Sequence, residues 1–200
     1  MPKRNWKETK KMRYWLDTEF NGYEGALISL ALVREDNEYL YVILPRPANI
    51  TDWVKENVMP ILEAVPQRVK PKKLMHSQLG QAIETFMKGD EDPVIITDWP
   101  DDITYFCENI LTGPGTMINI PRLSFRMHRV DAYPNTIFDR ESGMAAVQHN
   151  AYWDALSLMV KCIDENLEQG PEVCPICGLN GKHPHKRLKE AFLGDSKKSK

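Results

Sequence analysis

Apolar side chains in the first quarter of the chain come in short runs broken by turn-forming residues. Arg13 to Phe20, Ala26 to Val33 and Glu38 to Leu44 are rich in aromatic, β-branched and aliphatic residues, and Asn21-Gly22-Tyr23-Glu24-Gly25 and Arg34-Glu35-Asp36-Asn37 separate them. Such spacing predicts three strands in an antiparallel meander. After a loop containing Pro45 and Pro47, helical periodicity takes over. One helix is expected from about Thr51 to Ala64, and a second after a cap at Ser77, with Leu79, Ile83 and Phe86 on one stripe. Pro93 to Thr97 reads as a fourth strand, the segment from near Pro100 as a helix carrying Ile103, Tyr105, Phe106 and Ile110, and Thr116 to Ile120 as a fifth strand. A long irregular stretch then leads to a last large helix, about Met144 to Leu167. Strands followed by alternating helices and strands predict an α/β domain.

Composition bounds this picture. A chain of 200 residues with 42% hydrophobic content can bury a substantial core in one medium domain plus a small appendage. The expected divisions are a basic extension over 1–12 (Lys3, Arg4, Lys7, Lys10, Lys11), the α/β domain over 13–168, a Cys/His segment over 171–190 and a polar tail over 191–200. With 26 basic against 28 acidic residues, no global positive field draws the chain to polyanions. No stretch reaches the roughly 18 apolar residues that span a bilayer, and the basic N-terminus lacks the apolar core of a secretory signal. A cytoplasmic protein without membrane contact is expected. Cys107 and Cys162 sit in apolar helical patterns and read as buried thiols.

The placement of acids is the informative chemistry. Asp17 and Glu19 end an apolar strand, and residues two apart on a strand share a face. Two carboxylates brought together there repel unless cations lie between them. A second cluster, Asp98, Asp101 and Asp102, directly follows the strand Val94-Ile95-Ile96-Thr97, and a third site, His149 and Asp154, lies five positions apart within the last helical pattern. All three acidic clusters fall at element ends. Taken singly, an Asp-x-Glu is usually a solvated strand end, and a helical His or Asp an ordinary surface residue; it is the combination that points to metal ligands.

Asp17-Thr18-Glu19-Phe20, a mid-chain acid and His149-Asn150-Ala151-Tyr152-Trp153-Asp154-Ala155, in that order, resemble the DEDD superfamily of 3′-to-5′ exonucleases in its histidine subclass. The small stand-alone exoribonucleases of bacteria and phages are the most similar in pattern, over roughly residues 12 to 166. The resemblance implies a ribonuclease H-like fold, with a mixed five-stranded sheet between helices. It also implies two Mg²⁺ or Mn²⁺ ions, with Asp17 bridging them, Glu19 and Asp154 completing the first site and Asp102 holding the second. His149 would be the general base, and single-stranded RNA, or DNA, the substrate. Thr18, Phe20 and Trp99 become candidate substrate contacts, together with Tyr23; relatives that act on short RNA often pair, so the resemblance allows a homodimer without deciding the oligomeric state. The middle motif departs from the family's usual Asn-x-x-Phe-Asp, since Asp98 stands at the Asn position. Asp102 aligns best; Asp101 and Asp98 remain alternatives, and one of the adjacent acids can instead complement a helix N-terminus.

Cys174-Pro175-Ile176-Cys177-Gly178 followed by His183 and His185 stands outside this resemblance. Cys-x-x-Cys with a trailing glycine lets two thiolates meet one ion, so the four residues form a candidate structural Zn²⁺ site. The His-x-His spacing is shorter than in a usual finger. A tail with reduced cysteines is the alternative.

Overall fold

A computed structural model describes residues 11–130, 137–139 and 141–169. The candidate zinc ligands Cys174, Cys177, His183 and His185 lie outside the described residues. The fold is α/β, a mixed six-stranded sheet flanked by helices.

The meander forms as β1 (Met12–Phe20), β2 (Leu27–Arg34) and β3 (Tyr39–Ile43). The β1–β2 register pairs Asp17 with Ala31, and the β2–β3 register pairs Ala31 with Tyr41. A short helix α1 (Asp52–Asn57) follows, then β4 (Lys72–Lys73), α2 (His76–Phe86), β5 (Pro93–Thr97), α3 (Pro100–Ile110), a small hairpin of β6 (Leu111–Gly113) and β7 (Thr116–Met117), β8 (Ser124–Met127), and α4 (Ala151–Asp164). The main sheet runs in the order β4-β3-β2-β1-β5-β8, with β1 parallel to β5 and β5 parallel to β8. Because β1 and β5 are parallel, their carboxyl ends emerge side by side, which puts Asp17 to Phe20 beside Thr97 to Trp99.

Alternation along β1 decides which layer each residue serves. Trp15 packs in the cluster under α4 with Ile96, Leu156 and Met159, whereas Tyr14 and Leu16 pack in the cluster under α2 and α3 with Leu79, Ile83 and Phe106. Odd positions therefore face α4 and even positions face α3. Asp17 and Glu19 inherit the first direction, Thr18 the second.

The structure corrects the sequence expectations at several places. The sheet has six strands rather than five. The segment expected as strand five, Thr116 to Ile120, contributes only β7. Gly115, at φ +70, turns the chain back on β6, while Ile118 and Ile120 are buried against the α2–α3 layer without joining the main sheet. The sixth strand is Ser124–Met127, an edge strand whose Phe125 and Met127 are exposed, so no buried alternation marks it. The first helix ends at Asn57 rather than Ala64. Pro60 has no N–H to continue an α-helical ladder, and a 3-10 turn over Met59–Ile61 replaces it. The second helix starts at His76, one residue before the expected cap Ser77, and the Gln78 side chain accepts the Met75 N–H instead.

The last helix starts at Ala151, not near Met144, because Asn150 caps it. Its side chain accepts the Trp153 N–H at 3.4 Å and donates to the Ile61 carbonyl at 2.7 Å, bolting the helix start to the 3-10 turn. His149 precedes the cap at φ 65 and lies outside the helix. At the far end Asn166, at φ 58, closes the helix and turns the chain so that buried Glu168 meets the edge strand. Arg126 Nη1 donates to both Glu168 oxygens at 2.8 Å, and His128 Nε2 lies 2.9 Å away. No helix among the described residues is long and apolar enough to cross a membrane.

Candidate metal centre and cleft

Parity on β1 and the shared end of β1 and β5 bring the acids together. Asp17, Glu19 and Asp154 offer ligand atoms all within 4.8 Å of one another, and so do Asp17, Asp98 and Asp102. Asp17 belongs to both sets. Of the middle-motif alternatives, Asp98 and Asp102 reach Asp17; Asp101 does not, and accepts the Trp99 indole N–H at 2.8 Å instead.

Each acid is held by local structure. Asp102 sits in the first turn of α3 and is buried. Its Oδ1 accepts from the Thr18 N–H at 3.0 Å and the Thr18 hydroxyl at 2.6 Å, and its Oδ2 accepts from the Thr97 hydroxyl at 2.7 Å. Thr18, a substrate contact by resemblance, thus spends its hydroxyl on orienting Asp102. Asp154 lies in the first turn of α4 and accepts the Asn150 N–H at 3.0 Å, reciprocating the Asn150 cap. One oxygen of Asp17, Oδ2, is buried with no hydrogen-bond partner. A buried carboxylate oxygen without a donor costs several kcal/mol or so unless a proton or a cation meets it.

The electrostatics repeat the message. Burial first, and then the Asp102, Asp154, Glu19 and Asp98 carboxylates, hold the Asp17 carboxyl well above its ordinary value. Burial also raises Glu19, aided by Asp154 and Asp102. Asp154 is pushed up to about 7, chiefly by burial, against hydrogen bonds from the His149 and Asn150 backbone. Asp102 is likewise pushed up to about 7 by burial, although its bonds from Thr18 and Thr97 oppose the rise. Four like charges cannot share this space at neutral pH unaided. The donor set is all oxygen, which suits hard divalent cations such as Mg²⁺ or Mn²⁺. The residues present fit such ions.

A cleft of about 740 Å³ opens over this cluster. His149 lines it, with its ring against Trp53 edge to face, centroids 4.9 Å apart; burial lowers its pKa, so it is neutral at pH 7. Phe20 also lines the cleft but packs its ring on Tyr105 at 4.9 Å. Tyr23 is 83% exposed at the rim. Trp99 is half-exposed, and the Arg129 guanidinium covers its ring at 4.3 Å.

All five predicted catalytic positions therefore meet at one cleft. Sequence reasoning passed over Trp53, Thr97, Arg129 and Asn150. An asparagine just before Ala-Tyr-Trp-Asp was a readable cap signal. Arg129 had none, because it meets the cleft only through the β5–β8 pairing. The chain matches no known family model, and no curated protein matches it.

Proposed function

We propose that the chain is a metal-dependent 3′-to-5′ exonuclease of ribonuclease H-like fold that hydrolyses single-stranded nucleic acid, RNA in preference to DNA. The observation that carries this reading is the pair of carboxylate sets sharing Asp17, one oxygen of which is buried without a donor. Glu19, Asp17 and Asp154 would hold one ion, and Asp17 with Asp102 and Asp98 the other. Two such ions would neutralise a phosphodiester's non-bridging oxygens, lower the pKa of a nearby water and stabilise the leaving oxygen.

The protein's own groups account for the remainder. His149 is neutral at pH 7 and lines the cleft, so an imidazole nitrogen can take the proton of the attacking water. Its position outside the helix, at positive φ, aims it at the cleft while Asn150 fixes the backbone behind it. Thr18 and Thr97 keep Asp102 from turning away. Trp53, Tyr23 and Phe20 give the cleft aromatic walls on which unpaired bases can stack whatever their sequence. The preference for RNA and pairing of two copies rest on the sequence resemblance alone.

The test uses 5′-labelled single-stranded RNA and matched DNA with Mg²⁺, Mn²⁺ or EDTA. A ladder shortening from the 3′ end, dependent on metal and lost in Asp17→Ala and His149→Ala, is expected. Strands that are bound but never shortened under either metal would instead identify a binding module.

A further inference from the structure

Six carboxylates line the cleft, Asp17, Glu19, Asp98, Asp101, Asp102 and Asp154, and Arg129 is the one lysine or arginine among its described lining residues. Its placement is built. The His128 N–H donates to the Thr97 carbonyl at 2.9 Å, the last rung between this segment and β5, so Arg129 stands beside the turn carrying Trp99. That turn is fixed in its own right. The Trp99 N–H donates to the Thr97 hydroxyl at 3.2 Å, and the indole N–H to Asp101 at 2.8 Å. Behind it, Glu168 grips Arg126 of β8 and His128 just beyond that strand and anchors the segment to the end of α4.

The guanidinium lies over the indole ring and has no hydrogen-bond or ion-pair partner among the described residues, although six carboxylates line the same cleft. With Cζ over the ring and no partner among the described residues, its N–H groups are left open. Those groups form a planar fork that matches two oxygens of a phosphate. A base could not use this face of Trp99 without displacing the cation.

We propose that Arg129, held on Trp99, binds a phosphate of the nucleic-acid strand other than the one being cleaved, and so sets the affinity for polymeric over single-phosphodiester substrates. The inference rests on the exonuclease reading. Its role is substrate binding, with no part in the bond-breaking step. The carboxylate centre serves the scissile phosphate through its cations, whereas Arg129 needs none.

Wild type, Arg129→Ala, Arg129→Lys and Trp99→Ala are compared on a single-stranded oligonucleotide and on a nucleoside 5′-(p-nitrophenyl phosphate), which holds only the scissile phosphodiester. For Arg129→Ala, KM on the oligonucleotide should rise about tenfold or more with kcat nearly unchanged. The nitrophenyl ester should be cleaved as by wild type. The slope of log(kcat/KM) against log[salt] should become shallower by roughly 0.7, the value for one phosphate contact on a single strand. Arg129→Lys should recover part of the loss, and Trp99→Ala should reproduce part of it.

An unchanged KM on the oligonucleotide overturns the inference, as does an equal loss on both substrates, which would mark a structural role. If wild type cleaves neither substrate, the exonuclease reading fails. Anisotropy of a fluorescein-labelled strand in Ca²⁺ then still decides about Arg129. Tighter binding by wild type than by Arg129→Ala upholds the phosphate contact, and equal binding overturns it.

Discussion

Removal of divalent metal should make this protein lose stability as pH rises from 5 to 8, the reverse of what ordinary salt-bridged carboxylates do. Asp102 and Asp154 rise from 3.8 in the unfolded chain to about 7 in the fold. A group raised in this way is protonated in the fold where the unfolded chain has already released its proton. The native state then binds more protons, and stability falls with pH. The contribution is complete below about pH 4 and is lost as pH climbs through 7. At about 1.36 kcal/mol per tenfold change in proton affinity, one such carboxyl loses on the order of 2–3 kcal/mol between pH 5 and pH 8. Asp17 and Glu19 are raised in the same sense and add to the loss, and because all four carboxyls share one repulsion their contributions do not simply sum. For a chain of this size a loss of that order corresponds to a fall of roughly 5–10 °C in Tm. His149, whose pKa is lowered by burial, works in the opposite sense and trims the fall slightly.

The assay is thermal unfolding followed by circular dichroism in EDTA at pH 5, 6, 7 and 8, repeated with 10 mM Mg²⁺ or Mn²⁺. An ion present at a hundred times its Kd returns about 2.7 kcal/mol, so metal should cancel most of the alkaline loss and do little at pH 5. Asp154→Asn should flatten the EDTA profile, since its amide never ionises. A Tm that is flat or rising from pH 5 to 8 in EDTA, or one that metal leaves unmoved at pH 8, would refute the reasoning.

Other outcomes follow from single contacts. Thr18→Val removes both the hydroxyl donor and the side-chain restraint on Asp102, and should weaken Mg²⁺ about 10- to 100-fold in a metal titration of activity while leaving Tm in Mg²⁺ close to wild type. Asn150→Ala deletes a cap and strands the Ile61 carbonyl, for a loss of about 2–3 kcal/mol in urea unfolding; a loss below 1 kcal/mol or so would mean that the cap carries no weight. His149→Gln should lower kcat about 10²- to 10⁴-fold at saturating Mg²⁺ and remove the acid limb expected of wild type below the ordinary imidazole range. A limb of the same shape in the variant would assign the proton transfer elsewhere. Burial would raise the Glu168 carboxyl, but hydrogen bonds from His128 and Arg126 outweigh it and hold it below its ordinary value. That contribution is present above about pH 4.5 and is lost as pH falls, so Glu168→Gln should cost about 1–3 kcal/mol at pH 7 and little at pH 3.

The parts of the site legible in the sequence were those carried by strand alternation and element ends. Asp17 and Glu19 could be assigned to one face of β1 because a period of two needs no partner, and Asp154 followed from a single helix turn. The ambiguity between Asp98, Asp101 and Asp102 was of another kind. The parallel pairing of β1 and β5 narrows it to Asp98 and Asp102, both of which reach Asp17, and pairing is a long-range fact. The last helix was extended too far because Met144 to Val147 are apolar. Burial of that stretch comes instead from a loop in which Gly143, at φ +70, follows a tight turn. The edge strand β8 escaped notice since its large apolar residues face solvent, and Arg129 escaped with it.

The alternation of β1 makes its length a reading frame. Trp15, Asp17 and Glu19 belong to one layer and Tyr14, Leu16 and Thr18 to the other, with β2 and β5 locked on either side. Insertion or deletion of one residue between Trp15 and Asp17 would turn both acids toward α3 and deliver Thr18 to Asp154, disabling both carboxylate sets in one event. Two-residue changes would preserve the faces but carry the acids past their partners. This strand can therefore vary by substitution but not in length, whereas the hairpin of β6 and β7, which takes no part in the main sheet, is free to grow or shrink.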